Sequence, residues 1–157
     1  MTLWGPDRVL AKIDKITNNT YYYLYNGHGD VVQIVNTSGI TVNSYDYDIW
    51  GNFLEKTETT DNPFTYFGQT YDETTGLYYL RARYYDPTTG RFTQQDPADD
   101  GYNWYVYGGN NPVMYVDFSG ELAYPGQIHN LVVNRIASLY GFYNIKNIRN
   151  VRNIIKS

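Results

Sequence analysis

The sequence predicts a mainly β chain that ends in a short α-helical tail, and three observations predict it. Nineteen of 157 residues are tyrosine against six phenylalanine, and tyrosine suits half-buried strand faces, where a ring packs and a hydroxyl stays wet. Fourteen glycines, interleaved with Asn, Asp and Thr, supply tight turns between short strands. The third observation is internal repetition of a strand-plus-turn unit.

Tyr23 to Asp30 and Tyr45 to Asn52 both read Tyr-x-Tyr-[Asn/Asp]-x-x-Gly-[Asp/Asn], with first residues 23 and 45. Tyr71 to Gly76 and Tyr85 to Gly90 form a second pair, each beginning Tyr-Asp and ending Thr-Thr-Gly. Alternating tyrosines put two rings on one face of a strand, because strand side chains alternate with period two. The following Asp or Asn bonds its own backbone to start a turn, and glycine takes the positive-φ position that closes it. A few such units leave open sheet edges, so the pattern reads as part of something larger.

Charge divides the chain. All 16 acidic residues lie at or before Glu121, whereas five of the 12 basic ones, Arg135, Lys146, Arg149, Arg152 and Lys156, lie beyond it. A boundary near Glu121 follows, with an acidic β part before it and a basic tail after it. Cysteine is absent, which removes disulfides, zinc–thiolate sites and a cysteine nucleophile. Met1 to Thr20 carries Asp7, Arg8, Lys12, Asp14 and Lys15, a pattern unlike a signal peptide, and no stretch is long and apolar enough for a transmembrane helix.

Several motifs together resemble the Rhs/YD-repeat family and its Rhs-repeat-associated core. They are Asn26 to Val31, Tyr45 to Asn52, the run Tyr79-Leu80-Arg81-Ala82-Arg83-Tyr84-Tyr85-Asp86-Pro87 on to Gly90-Arg91-Phe92, then Gln95-Asp96-Pro97 and Tyr105 to Pro112. The resemblance implies a YD-repeat β-shell, or cocoon, over 1–75, a core plug with a self-cleavage site over 76–121, and a residual or truncated toxin tail over 122–157. In that family the shell encloses a C-terminal cargo, which the core cuts free. The implied setting is a secreted or cell-surface part of a longer bacterial protein. Its implied partners are upstream repeats, the cargo and a cognate immunity protein.

The family's protease uses two aspartates and an arginine. Carried over by motif, these are Asp96, Asp117 and Arg83, with the cut between Glu121 and Leu122. Two carboxylates held close resist ionising together, so one stays protonated as an acid while the other activates water. A nearby arginine keeps one ionised and separates the roles. The sequence departs from the family at Phe118, where a proline is usual, and at Glu121, where Leu or Met is usual. Phe118 is expected to loosen the backbone and Glu121 to add charge beside the carboxylates. The alternative reading makes both aspartates turn residues of a non-catalytic, carbohydrate-binding or adhesive β-scaffold.

Other residues read more plainly. His28, beside Asp30, is a turn histidine rather than half of a metal pair. Asp96, Asp99, Asp100 and Gly101 lack the ligand spacing of a calcium loop and read as a solvated acidic loop. No cofactor or metal is implied. Arg81, Arg83 and Arg91 alternate with tyrosines, but the acidic surroundings argue against nucleic acid and for Arg–Asp pairs and Arg–Tyr stacking within the shell.

Beyond the boundary, Ile128, Leu131, Val132, Ile136 and Leu139 fall at helical spacing, and Gly141 ends that helix. Residues 144–156 repeat Asn-[Ile/Val]-[Lys/Arg], with Ile145, Ile148, Val151 and Ile155 forming an apolar stripe. Such a basic helix suits nucleic acid or an anionic membrane. The segment is too short for a core of its own and, with one histidine and no acid, for a conventional nuclease site.

Overall fold

A computed structural model describes residues 1–6, 8–97, 103–121 and 123–125. Six strands, β1 (Thr2–Trp4), β2 (Val9–Ile13), β3 (Thr20–Tyr25), β4 (Val31–Asn36), β5 (Thr41–Tyr47) and β6 (Phe53–Glu58), pair antiparallel in chain order as a meander. Four more, β7 (Thr70–Asp72), β8 (Leu77–Leu80), β9 (Arg83–Asp86) and β10 (Arg91–Phe92), form a second antiparallel sheet in the order β10-β9-β8-β7. The β7–β8 hairpin therefore spans Gly76. A last two-stranded ladder joins β11 (Tyr115–Val116) to β12 (Tyr124–Pro125). The expected helices at 128–141 and 144–156 lie outside the described residues.

The repeated motifs fold alike. Asn26 Oδ1 accepts the N–H groups of His28, Gly29 and Asp30, and Asp48 Oδ1 accepts those of Trp50 and Asn52. Asp72 and Asp86 each accept from the residue two positions on, Thr74 and Thr88, and Gly76 and Gly90 close the two turns. Each polar side chain thus replaces the ladder partner that the backbone loses at the turn. Asn36 builds the same device between β4 and β5, a turn that the repeat pattern did not single out.

The tyrosines depart from expectation. Their hydroxyls were expected to stay wet, yet Tyr78 and Tyr85 are fully buried and Tyr107 nearly so. The hydroxyls donate to backbone carbonyls instead: Tyr25 to Val9, Tyr47 to Val31, Tyr66 to Ile49, Tyr78 to Gly51 and Tyr85 to Trp50, all at 2.8–2.9 Å. A buried phenol must find a partner, and backbone carbonyls at the starts of β2 and β4 and in the β5–β6 turn lie within its reach. Burial accordingly drives the Tyr47, Tyr66 and Tyr78 hydroxyls far above their ordinary titration range.

Two clusters make the core. One gathers Val9, Tyr23, Val31, Ile34 and Tyr45 on the first sheet. The other gathers Tyr66, Phe67, Tyr78, Leu80, Tyr85, Phe92, Tyr107 and Val116 around the second. Gly51, in the turn between β5 and β6, lies against the second cluster with φ +92°, and a Cβ there would stand 2.7 Å from the Tyr66 ring.

Gly51→Ala therefore combines left-handed strain with overpacking and should destabilise the fold by about 2 kcal/mol or more, read as a lower urea midpoint. Tyr78→Phe removes the donor to the Gly51 carbonyl and should cost about 1–2 kcal/mol by the same measurement.

Candidate functional site

Strand alternation buries Arg83 and Tyr85 on one face of β9 and leaves Tyr84 exposed. Arg83 is 3% exposed. Its guanidinium lies 3.6 Å above the Phe92 ring of β10, so one face meets π density and the N–H edge must be satisfied in the plane. Nη1 donates to the Trp104 carbonyl at 2.9 Å and pairs with Asp96 Oδ2 at 3.1 Å. Nη2 pairs with Asp117 Oδ2 at 3.4 Å, and Nε donates to the Gly120 carbonyl. All three residues carried over by motif meet on this one cation.

Asp117, 1% exposed, follows β11. Its Oδ1 accepts the N–H groups of Ser119 at 3.2 Å, Gly120 at 2.8 Å and Glu121 at 3.2 Å. The loop folds around its own carboxylate and is pinned to the β8–β9 turn, where Ala82 N–H donates to the Ser119 carbonyl at 3.0 Å. Only glycine fits at 120: φ is +70°, and a Cβ would meet the Leu80 carbonyl oxygen at 2.6 Å.

Burial drives the Asp117 carboxyl above its ordinary value of 3.8; the Gly120 N–H, the Arg83 cation and the N–H groups of Glu121 and Ser119 pull it only part of the way back. The Nη2 contact is long for a charge-assisted hydrogen bond, so Oδ2 is the oxygen with room for a proton. Two carboxyl groups thus share one buried arginine beside the backbone of residues 119–121, and the surroundings of Asp117 favour its protonated form more than water does.

The two departures from the family pattern behave differently from expectation. Phe118 does not hang loose: its ring packs against Phe67 at a centroid distance of 4.3 Å, on the edge of the second core cluster. Glu121 is exposed and reaches Asp117 through its backbone N–H, which lowers rather than raises the carboxyl's pKa. Leu122, on the far side of the expected cut, lies outside the described residues, as do Asp99, Asp100 and Gly101.

Of the three arginines, Arg83 alone is buried, and it stacks on Phe92 rather than on a tyrosine; Arg81 and Arg91 are exposed. Sequence reasoning missed the Trp104 and Gly120 carbonyls, since a backbone acceptor leaves no mark in residue type. It also missed that His28 contacts the Pro112 carbonyl at 2.9 Å. Among the described residues, no group of three or more His, Cys, Asp or Glu is arranged to hold a metal. None of their helices is long and apolar enough to cross a membrane.

A family model described as Teneurin YD-shell matches residues 7–113. The tRNA nuclease WapA of Bacillus subtilis (strain 168) is 47% identical over 133 residues, covering 78% of this chain and 5% of that protein. Salivary gland surface protein 1 of Aedes aegypti is 37% identical, covering 88% and 4%. The crystal structure of TcdB2-TccC3 without its hypervariable C-terminal region aligns with a TM-score of 0.61 at 31% identity, over 66% of this chain and 5% of that one. The chain thus spans about one twentieth of the length of these relatives.

Arg83→Gln removes the one cation between Asp96 and Asp117. It should push the Asp117 carboxyl further up, seen in a carboxyl carbon NMR titration, and cost about 3–5 kcal/mol of stability. The sign is fixed by linkage. The folded state holds the Asp117 proton more tightly than the unfolded chain does, so this group's contribution to stability falls as pH climbs from 3.8 through the elevated value.

Proposed function

The chain belongs to the Teneurin YD-shell family, and from that premise we propose that it forms shell and core of an Rhs-type toxin-encapsulating protein that cuts its own backbone after Glu121. The observation that carries this reading is the convergence of Asp96 and Asp117 on the buried guanidinium of Arg83. A purely structural turn needs no such pairing, and burying two carboxylates and a cation is costly for a fold that gains only stability from it.

The roles follow from the surroundings. Asp117, buried and driven up in pKa, is the general acid. Asp96, with the closer contact to Arg83, is the carboxylate that takes a proton from water. The water oxygen bonds to the Glu121 carbonyl carbon, the C–N bond to Leu122 breaks, and the leaving amine receives the Asp117 proton. Arg83 holds the Gly120 carbonyl through Nε and so fixes the peptide next to the cut. The nuclease among the relatives, and the hypervariable C-terminal region named for TcdB2-TccC3, support a variable C-terminal cargo; an immunity partner and an exported setting for the whole protein go with that reading.

Denaturing mass spectrometry of the purified chain tests this directly. A fragment ending at Glu121 should accumulate from wild type and be lost, by about 10²-fold or more in rate, in Asp96→Asn and Asp117→Asn. A folded chain that stays intact at 18.2 kDa through long incubation would leave the non-catalytic scaffold as the correct reading.

A further inference from the structure

His28 sits in the turn between β3 and β4, 84 residues before its partner Pro112. Its Nδ1 lies 2.9 Å from Asp30 Oδ1 and its Nε2 lies 2.9 Å from the Pro112 carbonyl oxygen. A carboxylate and a carbonyl both only accept, so both contacts are satisfied together when both ring nitrogens carry protons, as in the imidazolium. Asp30 is buried, and its Oδ1 also accepts the Phe67 N–H at 2.9 Å while Oδ2 accepts from Asn26 Nδ2. Phe67 has φ +54°, a conformation that costs a non-glycine residue energy and persists only where its surroundings enforce it. Asp30 grips its N–H, the His28 ring meets it edge-on at 5.2 Å, and Phe118 covers it at 4.3 Å.

These contacts bracket Asp117. Pro112 begins the turn that leads into β11 and Asp117, and Phe118 follows Asp117 directly. One ion pair in the first repeat thereby holds the chain upstream of the aspartate through Pro112 and downstream through Phe67 and Phe118. A cavity of about 380 Å³ opens beside His28, lined also by Asp48, Ile49, Tyr66 and Val113, and gives solvent protons access to the ring. The titratable groups facing the imidazole are Asp30 on its own turn, Asp48 on the β5–β6 turn, and Tyr47 and Tyr66, whose hydroxyls titrate far above neutrality.

We propose that His28 and Asp30 are positioning residues for Asp117, and that loss of the His28 proton loosens the 117–121 loop and sets an alkaline limit on self-cleavage. The inference rests on the cleavage reading for its consequence, but the positioning itself is measurable without any cut. Burial pulls the imidazole down, while the hydrogen bond and charge of Asp30 and the Pro112 carbonyl together lift it above 6.5. The hold is therefore complete below the unfolded value and is lost as pH rises through the folded one.

Hydrogen exchange on the 157-residue chain, kept uncut by Asp96→Asn, tests the positioning. Protection of the Ser119 and Gly120 amides, corrected for intrinsic rate, should fall about tenfold relative to β8 and β9 amides as His28 deprotonates. Imidazole nitrogen NMR on the same sample follows the proton. His28→Gln and Asp30→Asn should show the low protection at every pH. In the otherwise wild-type chain, His28→Gln should also cut the rate of fragment formation about tenfold and remove the His28 inflection from the alkaline side of its pH profile, leaving the limb that Asp117 itself sets. Loop protection indifferent to the His28 titration, or loss shared equally by β8 and β9, would overturn the proposal. If wild type yields no fragment, the cleavage reading fails while the exchange result still decides the positioning. If the variants do not fold, the pH titration without a His28 or Asp30 substitution decides it alone.

Discussion

A guanidinium buried to 3% exposure imposes a demand that the surrounding chain must meet. Arg83 cannot lose its proton, so every N–H it carries needs an acceptor and its charge needs a counter-charge. The fold answers with Asp96, Asp117, the Trp104 and Gly120 carbonyls and the face of Phe92. These partners come from four stretches of chain that have little regular secondary structure of their own. Among the described residues of 92–121 the hydrogen-bond ladder is sparse, limited to β10, β11 and an isolated bridge between Arg91 and Val106. The cation does there what ladders do elsewhere.

Tyrosine plays the corresponding role in the sheets. A meander of short strands brings backbone carbonyls at strand ends and turns within reach of the core, and a phenylalanine core would offer them no donor. The phenol reaches them from within the core. Tyr25 and Tyr47 occupy the same place in successive repeats, and each donates to a carbonyl 16 residues back, Val9 and Val31. The ring supplies buried apolar area and the hydroxyl supplies the missing donor in one residue. This accounts for the excess of tyrosine over phenylalanine better than wetness does.

The two systems meet at the Tyr66–Gly68 turn. Tyr66 covers Gly51 from one side, and Phe67 joins Asp30 and His28 to Phe118 on the other. Phe118 shows how a departure from a family pattern is absorbed. A proline would stiffen the loop through its own ring, whereas Phe118 is held from outside by aromatic packing. The loop's order then depends on what holds Phe67, which ties the site to the first repeat.

Composition and local pattern determined much of this protein. The strand-plus-turn unit was legible because an Asx residue followed by glycine encodes its turn within a few positions, and Asn26, Asp48, Asp72 and Asp86 all do so. Arg83, Asp96 and Asp117 were legible as candidates only through the resemblance carried by the combined motifs, since each aspartate by its local pattern alone reads as a turn residue. The tertiary structure alone decided that they share one cation, that the tyrosine hydroxyls are buried on carbonyls, and that Phe118 packs on Phe67. It alone joined His28 to Pro112. The reason is physical: residue type marks what a side chain can donate or accept, but a backbone carbonyl is the same at every residue. Which one lies within reach is set only when strands distant in sequence have packed.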